Sequence, residues 1–226
     1  MNTKENRTKN IIITLIVTFL YFCLSYILSF AFGEAFLSKN NVISSISLIL
    51  ANIFILLMII LFFVPKLVND AQTLTKDNLK LAYKNWIFGL IIMYVSNIII
   101  LLINKDIAAN EATNRAILEQ SPIYAILVMV VIAPIIEELI FRLSLKNIFN
   151  SKYLYCIFSG LIFGLLHLTS ATSLIELLYI IPYGSLGFFF AKTLYDTDNI
   201  YATIMTHITH NALIIFILLY SSIMGI

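Results

Sequence analysis

Apolar residues run along this chain in long, nearly unbroken stretches divided by short polar segments. Seven such stretches stand out, at 11–32, 43–64, 86–103, 123–141, 153–168, 174–194 and 200–223. They lack the inward–outward alternation of a membrane β-barrel strand. Most approach the roughly 20 apolar residues that an α-helix needs to cross a bilayer. The pattern predicts an all-α fold: a polytopic transmembrane helical bundle with about seven membrane helices. The first stretch is too long for a secretory signal and no small-residue cleavage site follows it, so it is expected to stay as a membrane helix.

Composition sharpens this. The chain is 61% hydrophobic and 12% charged. A soluble domain carries about a quarter charged residues, so that class is excluded. Charge placement then gives an orientation. With a cytoplasmic N-terminus, the inner segments and helix ends carry Lys4, Arg7, Lys9, Lys66, Lys76, Lys80, Lys84, Arg142, Lys146, Lys152 and Lys192, whereas the outer ones carry only Lys39, Lys105 and Arg115. Eleven against three is the bias that marks the cytoplasmic side. Seven crossings then put the C-terminus outside. A net charge of +2 gives no reason to expect nucleic acid as a partner. The expected setting is the lipid bilayer of a cell membrane, crossed several times, in a bacterium by the isoleucine-, asparagine- and lysine-rich usage. Cys23 and Cys156 lie in apolar stretches without a motif and read as free thiols.

Polar positions inside the apolar stretches divide the chain. The first three contain no acidic residue, histidine or arginine; Asn52 and Asn97 are their main buried polar groups, expected to bond between helices. The last four hold Glu137, Glu138, Arg142, Glu176, Asn211 and every histidine, His167, His207 and His210. The expected organisation is one membrane domain over 1–226, with N-terminal scaffold helices at 1–120 and a functional core at 121–226. The polar run at 70–79, within the loop at 65–85, reads as a short interfacial helix. Pro134 and Pro182 fall within helices, where a missing backbone N–H favours a kink.

Three constellations carry candidate chemistry. Charged side chains inside a membrane helix are costly and usually functional. Glu138 and Arg142 are four apart, on one helix face, so the arginine can neutralise that glutamate. Glu137 is turned about 100° away and is left for proton transfer. Phe163 and His167 share a face at spacing four, beside Gly160 and Gly164, whose spacing lets another helix approach closely. His207 and Asn211 share a face and can supply donors to a developing oxyanion. His207 and His210 could instead form part of a metal site, and Glu137, His167 and His207 number enough for one with an open position, although the helical zinc signature His-Glu-x-x-His is missing. Each constellation alone also reads as structural polar packing. Together they make a hydrolytic centre, with Glu176, Tyr179, Tyr183 and His210 as further lining candidates.

The ordered set Glu-Glu-x-x-x-Arg at 137–142, Phe-x-x-x-His at 163–167 and His-x-x-x-Asn at 207–211 resembles the CAAX-processing and bacteriocin-processing (CPBP, or Abi) family of intramembrane proteases, over about residues 121–215. The resemblance implies cleavage of a peptide or membrane-protein substrate. It assigns Glu137 and His167 to water activation and His207 and Asn211 to the oxyanion, with Glu138, Arg142 and Phe163 supporting. It leaves open a metal-free glutamate mechanism, which is favoured here, against a divalent metal such as zinc. Peptide pheromones, bacteriocin precursors and small membrane proteins are all possible substrates. The rival reading is a non-catalytic scaffold or a bacteriocin-immunity or regulatory protein. A transporter is disfavoured because no inverted repeat is visible. Two expectations are geometric. Glu137 and His167 reach one depth only if the hairpin at 143–152 continues as helix, and water is expected to enter from the cytoplasmic, lysine-rich side.

Overall fold

The computed structural model describes residues 3–36 and 41–224, and among these there are helices and no strand. We number the helices α1 (Thr3–Phe36), α2 (Asn41–Ile60), α3 (Val64–Thr73), α4 (Lys76–Asn104), α5 (Ala109–Gln120), α6 (Pro122–Lys146), α7 (Lys152–Leu166), α8 (Ile175–Thr197, opening with a 3₁₀ turn to Tyr179) and α9 (Ile200–Met224). Lys39, and the side chain of Lys4, lie outside the described residues.

All seven apolar stretches are helical, but not alike. Five helices, α1, α4, α6, α8 and α9, are long and apolar enough to cross a membrane. The sixth candidate is broken, because α2 and α3 meet at 87°. Pro65 sits in the first turn of α3, where its missing N–H costs nothing. The run at 70–79, expected to be one short interfacial helix, is instead divided: α3 ends at Thr73 and α4 begins at Lys76, because Thr75 caps the start of α4. The stretch at 153–168 gives α7, a helix of 15 residues. At about 1.5 Å per residue it reaches some 22 Å, short of the ~30 Å hydrocarbon core. The apolar faces of α4, such as Ile87, Ile91, Ile98 and Leu102, are 52–76% exposed, as lipid-facing positions should be. The protein is a multi-pass membrane protein, all-α among the described residues.

Polar residues gather the lysine-rich ends. Asp70 of α3 is fully buried and its carboxylate accepts from the Ile200 N–H at 2.8 Å. It thereby satisfies an orphan donor at the start of α9, while Lys66 balances its charge at 2.8 Å. Asp198, in the αL turn between α8 and α9, pairs with Lys146 and Lys66. Thr75 caps α4 in a reciprocal capping box with Asn78.

Two packing devices place the centre of the bundle. The first is the close contact of α7 with α8. A Cβ on Gly160 would stand 2.7 Å from the Gly184 carbonyl oxygen, and one on Gly187 would stand 3.0 Å from the Gly160 Cα. The Gly-x-x-x-Gly spacing thus brings two backbones into contact, as its sequence implied. The second is α6, whose hydrogen bonding widens to i→i+5 over Ala125–Ile132 and Leu139–Leu143. Pro134 lies in the α-helical turn between them, at Ala133–Glu138. Such wide turns concentrate at functional sites.

The register of α6 against α7 is set by side chains reaching freed backbone. The Ser159 hydroxyl donates to the Phe141 carbonyl at 2.6 Å and the Tyr155 hydroxyl to the Arg142 carbonyl at 3.1 Å. α6 continues as helix to Lys146 and α7 begins at Lys152, with residues 147–151 forming the turn, so the hairpin at 143–152 is helical only in part.

Asn52 bonds the Leu48 carbonyl of its own helix at 2.8 Å, and its carboxamide also meets Tyr124 of α6. Cys23 and Cys156 are both free.

Candidate active site

The residues singled out by spacing converge on one cavity of about 610 Å³ inside the bundle, lined by Glu137, Phe163, His167, His207 and Asn211 among others. His210, Tyr179 and Tyr183 line it too. Glu176 does not; it is engaged by the Thr172 hydroxyl at 2.9 Å.

Glu138 and Arg142 occupy the dry inner edge, both fully buried. Arg142 Nε stands 3.5 Å from Glu138 Oε2, so the expected ion pair forms. The guanidinium carbon lies over two aromatic rings, 4.2 Å from the Phe163 centroid and 5.9 Å from that of Phe190. Among the described residues it makes no hydrogen bond. Its charge is balanced by one carboxylate and two π faces.

Glu138 makes a second contact, which crosses between helices and so leaves no trace in residue spacing. Its Oε1 lies 2.8 Å from His207 Nδ1. His207, 3% exposed in its side chain, has its other nitrogen 3.7 Å from Glu137 Oε2. One imidazole therefore stands between the two glutamates. Phe190 stacks on it with ring centroids 4.7 Å apart, a contact no motif announced. Glu137 keeps 20% of its side chain accessible, so it faces the cavity, as its 100° rotation from Glu138 implied.

His167 follows directly from where α7 ends. The helix stops at Leu166, which frees the Phe163 carbonyl from backbone pairing. His167 Nδ1 is 2.8 Å from that carbonyl oxygen. The ring is held between Phe163 and Tyr183, with centroids at 4.4 and 4.6 Å. The fourfold spacing of Phe163 and His167 thus serves backbone and ring alike. Asn211 donates from Nδ2 to the Met129 carbonyl at 2.7 Å, on the wide π turn of α6. This fixes the carboxamide while it lines the cavity.

His210 is buried, and its Nδ1 lies 3.4 Å from the Trp86 indole nitrogen of α4. Its spacing pointed away from Asn211, and its contacts bear this out.

The first three stretches and the outer loop carried no diagnostic residue, yet α4 gives Met93, Tyr94 and Asn97 to the cavity wall, and α5 gives Asn110, Glu111, Asn114 and Arg115. Glu111 and Arg115 pair at 2.9 Å. No motif could have found them, since they are ordinary polar residues placed there by the return of the chain.

Metal ligation was one alternative. Among the described residues, no three His, Cys, Asp or Glu side chains converge on a point where one ion could bind. His167 and His207 each commit Nδ1 to a protein acceptor, which leaves Nε2 of both rings free.

A glutamate–histidine centre buried in a polytopic helix bundle is thus the class of site this chain builds. Residues 119–213, which contain all three constellations, match the family model described as type II CAAX prenyl endopeptidase Rce1-like. The UPF0177 protein YbdI of Lactococcus lactis subsp. lactis (strain IL1403) is 33% identical over 135 residues, covering 55% of this chain and 75% of that protein. The chain belongs to the CPBP family, a family of intramembrane proteases. No solved structure gives a significant match.

Proposed function

We propose that the protein is an intramembrane endopeptidase that hydrolyses a peptide bond of a peptide or membrane-protein substrate with water activated by Glu137. The observation that carries the reading is the gathering of Glu137, His167, His207 and Asn211 around one cavity within otherwise apolar helices.

Each role follows from the atoms. Glu137 is the carboxylate with access to the cavity, and it takes a proton from water. His167 gives its Nδ1–H to the Phe163 carbonyl, so its Nε2 keeps a lone pair. That lone pair accepts a water O–H and helps hold the nucleophile. Asn211 has two amide hydrogens and one is used on Met129. The other, with His207, faces the carbonyl oxygen as it gains charge. The apolar walls of the cavity strengthen these interactions by excluding bulk solvent. Glu138 and Arg142 hold the inner edge.

The test compares membranes and secreted peptides from cells expressing wild-type protein, Glu137→Gln or His167→Ala at equal levels. The expected result is one or more peptides left uncleaved in both variants. Equal processing in wild type and Glu137→Gln refutes the reading and favours the scaffold or immunity role.

A further inference from the structure

We infer that Glu138 is a positioning residue for His207, and that His207 is a proton carrier which becomes an oxyanion donor only after it has received the proton taken by Glu137. The catalytic step in this inference rests on the hydrolase reading above; the hydrogen positions that underlie it do not.

A carboxylate only accepts, so the 2.8 Å contact of Glu138 Oε1 with His207 Nδ1 puts a hydrogen on Nδ1. A neutral imidazole has one N–H, and Nε2 is then a lone pair. That nitrogen lies 3.7 Å from Glu137 Oε2, beyond the reach of a direct hydrogen bond, as expected for two acceptors facing each other. His207 in this form offers no donor to the cavity. An oxyanion contact through Nε2 requires a second proton, and the nearest source is Glu137.

The surroundings suit that transfer. Glu138 is fully buried and fixed by Arg142 at 3.5 Å. Phe190 stacks on the His207 ring at 4.7 Å and Phe163 meets it edge-on at 5.8 Å. The ring can neither flip nor drift, so Nε2 stays directed at Glu137. When the ring gains its second proton, the positive charge forms between the Glu138 carboxylate and the developing oxyanion. A carboxylate that orients an imidazole and stabilises its protonated form is the role of the aspartate in serine-protease triads.

The steps balance. An O–H bond of water breaks and its proton goes to Glu137, while the oxygen bonds to the scissile carbon and the C=O π pair moves onto oxygen. Glu137 passes the proton to His207 Nε2 through a small closure of the gap. The Nε2–H then binds the oxyanion. The C=O re-forms, the C–N bond breaks, and the leaving nitrogen takes the proton from Nε2. Glu137 is again a carboxylate and His207 is neutral.

The experiment reads hydrogen positions directly and needs no substrate. The full chain, labelled with ¹⁵N-histidine, is placed in lipid nanodiscs, and ring ¹⁵N spectra are recorded near neutral pH. Resonances are assigned by those lost in His207→Gln, His167→Gln and His210→Gln. In the wild type His207 is expected to carry its hydrogen on Nδ1 alone. His167 should match it, because Nδ1 faces a carbonyl. His210 should be the opposite tautomer, because the Trp86 indole N–H can only donate to its Nδ1. Glu138→Gln retains an acceptor and should keep the Nδ1–H form, whereas Glu138→Leu should shift His207 to Nε2–H.

A wild-type His207 with its hydrogen on Nε2, or on both nitrogens, overturns the inference. So does a folded Glu138→Leu protein with an unchanged His207 tautomer. The wild-type spectrum decides the matter even if Glu138→Leu does not fold. An incorrect protease reading leaves these spectra unaltered, so the two failures are told apart.

Discussion

Removing the Arg142 charge alone should harm the protein far more than removing the Arg142–Glu138 pair. Both side chains are fully buried, and Arg142 Nε stands 3.5 Å from Glu138 Oε2. Arg142→Met keeps an apolar stem of similar reach against Phe163 but leaves a buried carboxylate without its cation. Breaking a buried pair in this way costs about 3–5 kcal/mol. The guanidinium over Phe163 at 4.2 Å is a further loss, at about 2 kcal/mol for a desolvated stack. The carboxylate keeps only the His207 N–H, which cannot replace a full charge. In a chain of this size about 1 kcal/mol shifts Tm by roughly 2–4 °C. An increment of 3–5 kcal/mol thus lowers Tm by about 6–20 °C. The double variant Arg142→Met with Glu138→Leu removes both charges and fills their volume, and such exchanges are often neutral or stabilising. Its Tm should lie above that of the single variant. The assay is intrinsic-fluorescence melting in one detergent, for wild type, both singles and the double. If the double loses the sum of the two single losses, the groups do not interact and the reading of this buried pair is wrong.

Gly160→Ala places a methyl 2.7 Å from the Gly184 carbonyl oxygen, which is backbone and cannot swing away. Overpacking of this kind costs about 1–3 kcal/mol, and melting should show it, while Gly184→Ala, whose added Cβ is 3.4 Å from its nearest neighbour, should be milder. Asn211→Ala should lower the cleavage rate by about 10²–10³ with little change in KM, followed by mass spectrometry once a cleaved peptide is known. For Asp198, burial pushes the carboxyl up, but Lys146 and Lys66 outweigh it and hold it below the usual carboxylate range. Its contribution is therefore present above the unfolded value of about 3.9 and is lost as pH falls through the lower folded value. The effect is small, because the side chain is 74% exposed. Asp198→Asn should lose less Tm between neutral pH and pH 3 than wild type does, and an identical acid profile would contradict the assignment.

Much of this protein is determined locally. A run of apolar residues has no stable choice in lipid but to satisfy its backbone within a helix, so the stretches at 86–103, 123–141 and 200–223 are legible in one dimension. Spacing did equal service where both groups sit on one helix. Glu138 with Arg142, Phe163 with His167, and Gly160 with Gly164 are each one turn apart, and a turn is a short-range fact. The same logic turned Glu137 away from Glu138 toward the cavity.

What needed the tertiary structure is whatever crosses between helices or depends on where one ends. The bond from Glu138 to His207 joins residues 69 apart, and nothing within either helix foretells it. Phe190 and the α5 residues look like ordinary apolar or surface positions until packing brings them to the cavity, as does Trp86 until it meets His210. The stretch at 153–168 looked like a crossing, yet it stops at Leu166, and that early stop frees the carbonyl that orients His167. The cavity wall likewise depends on α5 folding back over the bundle. Sequence periodicity assigns a side chain to a face; only packing decides which face it meets, and in this site the meeting partner settles which nitrogen holds the proton.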